Sequence, residues 1–128
     1  MRTRFTLMLI GALAALALVA VPTVSAATNV HEAVLKGSAS FPAVDGKAKF
    51  GVDDGVRELE VQIEDANRLA GQKLKVLING VRVGTMTVGQ FGNARLRKSG
   101  DSIPAVTTGS KIRVRTLDGV LVAFGKFN

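Results

Sequence analysis

The feature that most constrains this chain is a pair of alternating apolar and polar runs that meet at an asparagine followed by a glycine. The runs occupy residues 73–88, KLKVLINGVRVGTMTV, and meet at Asn79-Gly80. Asn-Gly suits the two positive-φ positions of a type I′ hairpin turn. A turn there places Ile78 opposite Val81, with the lysine and arginine side chains on the other face. The segment therefore predicts an antiparallel hairpin with one buried face.

Asp-Gly pairs predict similar turns at residues 45–46 and 54–55. With 45–46 as a two-residue loop, Phe41 lies opposite Phe50. With 54–55 as the loop, Phe50 also lies opposite Leu59. Both registers pair apolar residues on one face, and a slip of one residue would turn those side chains to the other face. The two turns thus predict a sheet with a continuous apolar side.

A fourth pair, Asp118-Gly119, predicts a hairpin near the end of the chain. In its register, Val122 and Phe124 share the outer face with Arg113 and Arg115. Apolar side chains interleaved with arginines are typical of interface cores. The alternative is that the arginine stems simply lie over exposed apolar side chains.

The connecting segments carry different signals. Residues 64–72 break the alternation and predict a crossover with one helical turn. Residues 90–92, Gln-Phe-Gly, predict a three-residue turn that pairs Val88 with Ala94. Strict alternation would send Val88 outward, so a β-bulge near Gly84 is needed to keep it on the core face.

About eight short strands, four X-Gly turns and the lack of a convincing helix predict an all-β fold. The expected architecture is an antiparallel β-sandwich or a partly closed barrel, in a single domain over residues 27–128. The chain contains no cysteine, so the core and the sheet must stabilise this fold without disulfides.

Residues 1–26 predict a cleaved signal peptide. Two arginines precede an uncharged apolar run at residues 7–21, and Val-Ser-Ala at 24–26 supplies the small residues that a signal peptidase recognises. The run is shorter than the roughly 20 residues that cross a bilayer, and an uncleaved anchor is the alternative. No cysteine adjoins the cleavage site, which excludes a lipid-modified cysteine. We expect a secreted or periplasmic protein whose mature chain has no transmembrane segment.

Catalytic machinery is sparse in this sequence. The single histidine, His31, falls in an N-terminal segment expected to be mobile, and a nucleophilic mechanism needs a positioned base. Glu58, Glu60 and Glu64 share a strand face at a spacing of about 6–7 Å, which is compatible with a glycosidase pair. Cross-strand ion pairs with lysines are the structural alternative. We therefore predict no enzyme activity and no catalytic residue, cofactor or metal site.

The aromatic content argues against two classes of ligand. The chain has no tryptophan and no tyrosine. Carbohydrate sites use flat aromatic platforms with a polar edge, and readers of single-stranded nucleic acid interleave aromatic side chains with cations. Sugar binding and specific nucleic-acid binding are therefore not expected.

Charge is distributed unevenly along the chain. Residues 27–65 contain four basic and eight acidic residues, whereas residues 66–128 contain eleven basic and two acidic ones. Most basic side chains of the second segment point away from the predicted core and form a candidate binding face. Its members are Lys73, Lys75, Arg82, Arg95, Arg97, Arg113 and Arg115. The expected partner is an anionic envelope polymer or an acidic protein, and a plain solvated surface is the structural alternative.

These patterns lead to three hypotheses of function. The first is a small exported, non-enzymatic binding or structural module of the cell envelope or exterior, with the basic C-terminal strands as its contact surface. The second is a periplasmic inhibitor or chaperone-like protein that binds a partner by adding a strand or loop. The third is a carboxylate- or metal-dependent hydrolase.

Overall fold

A computed structural model describes residues 30–128, which form eight β-strands and one short 3-10 turn. The predicted signal peptide lies outside the described residues. The strands are β1 (His31–Gly37), β2 (Asp45–Asp53), β3 (Val56–Glu64), β4 (Lys73–Ile78), β5 (Val81–Thr87), β6 (Ala94–Ser99), β7 (Lys111–Thr116) and β8 (Leu121–Lys126), and the 3-10 turn is Asn67–Leu69. The predicted all-β class with about eight short strands is confirmed. Among residues 30–128, no helix has the length and apolarity to cross a membrane.

All the strands belong to one antiparallel sheet, in the order β5-β4-β7-β8-β1-β2-β3-β6. The sheet curls into a nearly closed barrel, so that its two end strands, β5 and β6, lie beside each other. We call this junction the seam. The side chain of Leu96 on β6 packs against Gly84 on β5 across the seam. Of the two predicted architectures, the barrel is the one that the chain adopts.

The inner face of the sheet forms a single apolar core, as the alternating strands predict. Its largest fully buried side chains are Phe127, Leu35, Ile63, Leu74, Ile78, Ile103 and Ile112. Two of these lie outside the strands: Ile103 is in the loop between β6 and β7, and Phe127 follows β8. Segments outside the strands thus contribute to the core.

Two of the four predicted hairpin turns have the expected geometry. Asn79 and Gly80 both adopt positive φ, at 49° and 84°, and Ile78 lies opposite Val81. The turn at residues 54–55 likewise has two positive φ angles, 51° and 78°. Its register, including the pairing of Phe50 with Leu59, is confirmed.

The predicted bulge in the second strand of the Asn-Gly hairpin is confirmed. The register shifts so that Val76 lies opposite Gly84 rather than Val83. The inserted residue, Val83, is buried, and so are Met86 and Val88 beyond it. The bulge therefore reverses the alternation and lets both halves of the strand contribute to one core.

The predicted pairing of Phe41 with Phe50 is wrong. Strand β1 ends at Gly37, and Phe50 lies opposite His31 instead. Residues 38–44 form two successive hydrogen-bonded turns that link β1 to β2. Phe41 lies in this connection and packs against the edge of the core.

Gly46 accounts for that error. It lies inside β2, opposite Ile63, and does not adopt positive φ. A methyl group at Gly46 would collide with the backbone carbonyl oxygen of Gln62. Glycine is needed here for the close approach of two strands, which an Asp-Gly pair in a sequence does not distinguish from a turn.

The predicted hairpin between Val88 and Ala94 is also wrong. β5 pairs with β4, whereas β6 pairs with β3, so these consecutive strands occupy opposite ends of the sheet. The loop between them packs on the crossover through a hydrogen bond of 2.9 Å from the Ala66 N–H to the Gly92 carbonyl. The helical turn predicted in that crossover is confirmed as the 3-10 turn.

Val122 faces the core and not, as predicted, the outer surface. The turn at Asp118-Gly119 has positive φ only at the glycine, and the Gly119 N–H donates to the Thr116 carbonyl at 2.9 Å. This is a type I turn followed by a left-handed glycine, which makes the loop longer than two residues. The register consequently shifts before Arg115, and Val122 becomes an inserted, fully buried residue.

Candidate binding surface

The strands of one half of the sheet carry basic side chains and no carboxylate. Strands β5, β4, β7 and β8 are neighbours in the sheet, and we call them the basic half. Their basic residues are Lys73, Lys75, Arg82, Lys111, Arg113, Arg115 and Lys126. All of them are exposed or half-buried. The surface is therefore a continuous positive field and not a set of isolated charges.

Like charges lie directly opposite each other in this half. Lys75 on β4 is the ladder partner of Arg115 on β7, and Lys111 on β7 is the ladder partner of Lys126 on β8. Like charges in directly opposite positions destabilise a sheet, whereas opposite charges stabilise it. Folding alone does not favour this arrangement.

The other four strands, β1, β2, β3 and β6, carry nearly equal numbers of basic and acidic residues, and we call them the balanced half. Seven basic and six acidic residues lie in these strands. Lys49 lies opposite Glu32 on one side and Glu60 on the other, and Glu60 in turn lies opposite Arg97. The predicted cross-strand alternation of charge on the glutamate face is therefore present.

Glu60 is the centre of the ion pairs that residues 30–128 contain. Its Oε2 atom lies 3.5 Å from Nε of Arg95 and 3.4 Å from Nε of Arg97. The Gln62 amide, which donates to the same oxygen at 3.2 Å, lowers the pKa of Glu60 most. Desolvation opposes this shift, and the charges of Arg97 and Arg95 lower the pKa further. A general acid needs the opposite shift, so Glu60 does not suit the role of general acid in a glycosidase pair.

Apolar side chains interrupt the basic half along its middle row. Arg113 lies between Leu77 on β4 and Phe124 on β8, which are its ladder partners on either side. Arg82 is the next partner beyond Leu77, and Lys36 of β1 is the next beyond Phe124. The row thus alternates cationic and apolar side chains over five strands. The predicted sharing of a face by Phe124 and Arg113 is confirmed.

The structure separates the predicted face into two groups. Lys73, Lys75, Arg82, Arg113 and Arg115 lie in the basic half. Arg95 and Arg97 lie on β6, beyond the seam, where they pair with Glu60. Sequence reasoning omitted Lys111 and Lys126 from the face. The former shares the parity of Arg113, two residues away, so alternation alone could have identified it.

His31 belongs to a strand and makes defined contacts, contrary to the prediction of a mobile segment. It is the first residue of β1, and its Nδ1 atom lies 2.6 Å from the backbone oxygen of Asn128. Its ring also contacts that of Phe50, with 6.4 Å between centroids. Two further hydrogen bonds join Glu32 to Asn128. The histidine therefore helps to attach the last residue of the chain to β1.

Two surface cavities lie mainly on the balanced half. One, of about 590 Å³, opens over Gly51 between Lys49, Glu58 and Arg97. The other, of about 540 Å³, lies around Lys47 and includes Lys126 at its border with the basic half. Both mix cations and carboxylates in their walls. Within the part of the chain that the structure describes, no three His, Asp or Glu side chains come together in a way that could hold a metal ion.

No protein-family model matches this chain, and no curated protein shows significant sequence similarity to it.

Proposed function

We propose that this protein is a small, exported, non-enzymatic binding module that contacts a polyanion or an acidic partner through the basic half of its barrel. The observation that carries the proposal is the placement of seven cations on four neighbouring strands without a carboxylate. A phosphate-rich or carboxylate-rich polymer of the cell envelope has the complementary chemistry.

The contrast between the two halves supports this proposal. In the balanced half, Lys49 lies between two glutamates, whereas in the basic half Lys75 lies opposite Arg115. A cation without an opposite charge in its own sheet retains its attraction for an external anion. The basic half contains two like-charge ladder pairs, Lys75 with Arg115 and Lys111 with Lys126, and its strands hold no carboxylate to offset them. The balanced half contains one such pair, Asp45 with Glu64, among its opposite-charge pairs. The excess in the basic half is expected of a surface that serves binding at some expense of stability.

Export forms part of the proposal because the leader at residues 1–26 predicts it. A positively charged surface on an exported protein meets the anionic polymers of the envelope directly. The basic half needs no pocket for this purpose, since a flexible polymer can follow the strands. The hydrolase hypothesis is not carried further because the lowered pKa of Glu60, the best-placed carboxylate, does not suit the general acid that a glycosidase needs.

Binding to soluble long-chain polyphosphate at several salt concentrations tests the proposal. Neutralising two cations of the basic half, with Lys73→Gln plus Lys75→Gln, should reduce the slope of log affinity against log salt by about two, one for each lost contact. The matched control is Lys47→Gln plus Lys49→Gln, which makes the same changes at alternate positions of β2, on the opposite side of the barrel. Equal effects of the two variants, or affinity that does not depend on salt, would refute the proposal.

A second candidate is binding of a partner protein by strand addition at the seam. In residues 30–128, β5 pairs only with β4 and β6 pairs only with β3, so each has one backbone edge without a ladder. An extended segment could pair with either edge. Capture of a protein partner by the wild type and equally by the Lys73→Gln plus Lys75→Gln variant would support this candidate, and loss of capture in that variant would exclude it.

A further inference from the structure

The basic half contains apolar side chains at positions where a purely electrostatic surface would gain nothing from them. Phe124 is 41% exposed, although it lies in the middle of the cationic row beside Arg113. Leu77 flanks the same arginine from the other side, and Leu121 lies opposite Arg115. These apolar groups remain partly in contact with water in the isolated protein.

The turn at one end of the basic half exposes two more large apolar residues. Leu117 and Val120 are 50% and 45% exposed. The turn is held by the Arg115 guanidinium, which donates to the Gly119 carbonyl at 2.9 Å, and by the Thr116 hydroxyl oxygen, which accepts from the Val120 N–H at 3.0 Å. Asp118 is the single carboxylate of this turn. The exposed apolar pair is therefore fixed next to a cation.

Exposed apolar side chains beside cations favour one kind of anionic partner over another. A soluble polyanion satisfies the cations but offers little contact to a phenylalanine and four aliphatic side chains. The surface of an anionic bilayer offers phosphate groups at the headgroup level and hydrocarbon directly below it. Lysine and arginine suit such a surface because their long apolar stems lie along hydrocarbon while their charged ends stay among the headgroups.

We infer that the basic half docks on the surface of an anionic lipid bilayer, with Phe124 and the turn at residues 117–120 entering the interface. The inference rests on the proposed function and identifies the polyanion as lipid headgroups. Lipids diffuse within the bilayer and can collect under cations that are spread over several strands, so the basic half requires no groove. Apolar contact and headgroup attraction then act together, as in interfacial membrane proteins.

Sedimentation with vesicles tests the inference. The full chain without its leader should bind vesicles of phosphatidylglycerol and phosphatidylcholine, and should not bind vesicles of phosphatidylcholine alone. Lys73→Gln plus Lys75→Gln should weaken partitioning about 30-fold, from the contribution expected for each cation near an anionic surface. Phe124→Ser should weaken it about tenfold, given the apolar area that is lost. The matched control is Phe91→Ser, since Phe91 is 75% exposed but lies in the loop before β6, outside the basic half.

A fluorescent reporter gives an independent readout that does not depend on affinity. The chain has no tryptophan, so Phe124→Trp introduces a single indole, and its emission should move to shorter wavelength with anionic vesicles. Phe91→Trp should show no such shift. Circular dichroism of each variant checks that the sheet is intact.

The outcomes separate this inference from the proposed function. Binding to polyphosphate without binding to anionic vesicles overturns the inference and leaves the proposed function in place. Absence of binding to both overturns both. Vesicle binding that is unaffected by Phe124→Ser, together with unchanged emission of Phe124→Trp, overturns the docking geometry.

Discussion

Leu96 packs its side chain directly over Gly84, joining the two ends of the sheet where no backbone ladder connects them. A Cβ atom built on Gly84 would lie 3.1 and 3.2 Å from the two Leu96 methyl carbons. β5 and β6 thus meet through side-chain packing, with a glycine providing the space. The Leu96–Gly84 contact is therefore one of the contacts that close the barrel at the seam.

Leu96→Ala should loosen this seam. Loss of the contact should lower the free energy of unfolding by about 1–2 kcal/mol, less than for a fully buried leucine because Leu96 is half-buried. Amide exchange should accelerate in β5 and β6 more than in β1 and β2. Leu121→Ala is the control, since Leu121 is half-buried on β8, which β4 and β7 separate from β5. It should not accelerate exchange at the seam. A uniform increase in exchange over all strands would contradict the role assigned to Leu96.

Asn79→Ala should destabilise the junction between the β4–β5 turn and β7. The Asn79 Oδ1 atom accepts from the Lys111 N–H at 2.9 Å, and the residue itself adopts φ of 49°. Alanine loses the acceptor and tolerates this φ poorly, for a total of about 1–2 kcal/mol. Asn79→Asp keeps both properties and should remain close to the wild type in thermal unfolding. Equal melting temperatures for the alanine and aspartate variants would show that neither property matters.

Glu60→Gln should make stability less dependent on acidic pH. The pKa of Glu60 in the folded protein lies below its ordinary value of 4.5, so ionised Glu60 stabilises the fold above that value. This contribution is lost as pH falls through the lowered pKa. The difference in melting temperature between the wild type and Glu60→Gln should therefore be present at pH 7 and should shrink progressively as the pH falls below 4.5.

The control for that experiment is Glu58→Gln. Glu58 lies on the same strand face, but Ser99 and not an arginine occupies the opposite position on β6. Its substitution should leave the acid limb of the stability profile nearly as in the wild type. If Glu58→Gln changed the pH dependence of stability as much as Glu60→Gln, the arginines and Gln62 would not be the cause of the Glu60 effect.

Gly46→Ala and Gly51→Ala should differ strongly although both lie in β2. A methyl group at Gly46 collides with the Gln62 carbonyl oxygen, whereas one at Gly51 meets only a Val30 methyl carbon at 3.7 Å. The first substitution should cost about 2 kcal/mol or more, and the second should be neutral or stabilise by up to about 1 kcal/mol. Urea unfolding of the two variants gives the comparison. Similar midpoints would contradict the close strand approach described at Gly46.

Local turn chemistry made part of this fold predictable. At Asn79-Gly80 and Asp54-Gly55 both residues need positive φ, and the strands that meet there are close in sequence, so turn type determines pairing. The bulge near Gly84 could also be inferred, because Val83 and Val88 cannot otherwise face the same core. These features depend on residues within a few positions of one another.

Pairing between distant strands could not be predicted in the same way. The placement of β7 between β4 and β8, and of β3 next to β6, depends on how the whole sheet curls. The prediction of a turn at Gly46 was wrong because glycine is required there by the close approach of Gln62 on β3, which the local sequence does not reveal. Val122 was assigned to the wrong face because the loop has three residues and not two. The extra residue shifts the register at the start of β8, so that Val122 points to the core.

The candidate site was predictable as a set of residues but not as a surface. Alternation correctly turned Lys73, Lys75 and Arg113 away from the core. It could not show that Arg95 and Arg97 share Glu60, since this relationship depends on β6 lying beside β3. The division into a basic and a balanced half is therefore a property of the topology.

The pair of hydrogen bonds between Glu32 and Asn128 has a consequence for engineering the chain. Their backbone and side-chain hydrogen bonds, of 2.9 and 3.0 Å, bring the first strand and the last residue into contact. A short linker could therefore join residue 128 to residue 30, and new termini could open in the loop between β6 and β7. Such a circular permutant should fold to the same barrel, because every ladder of the sheet would survive.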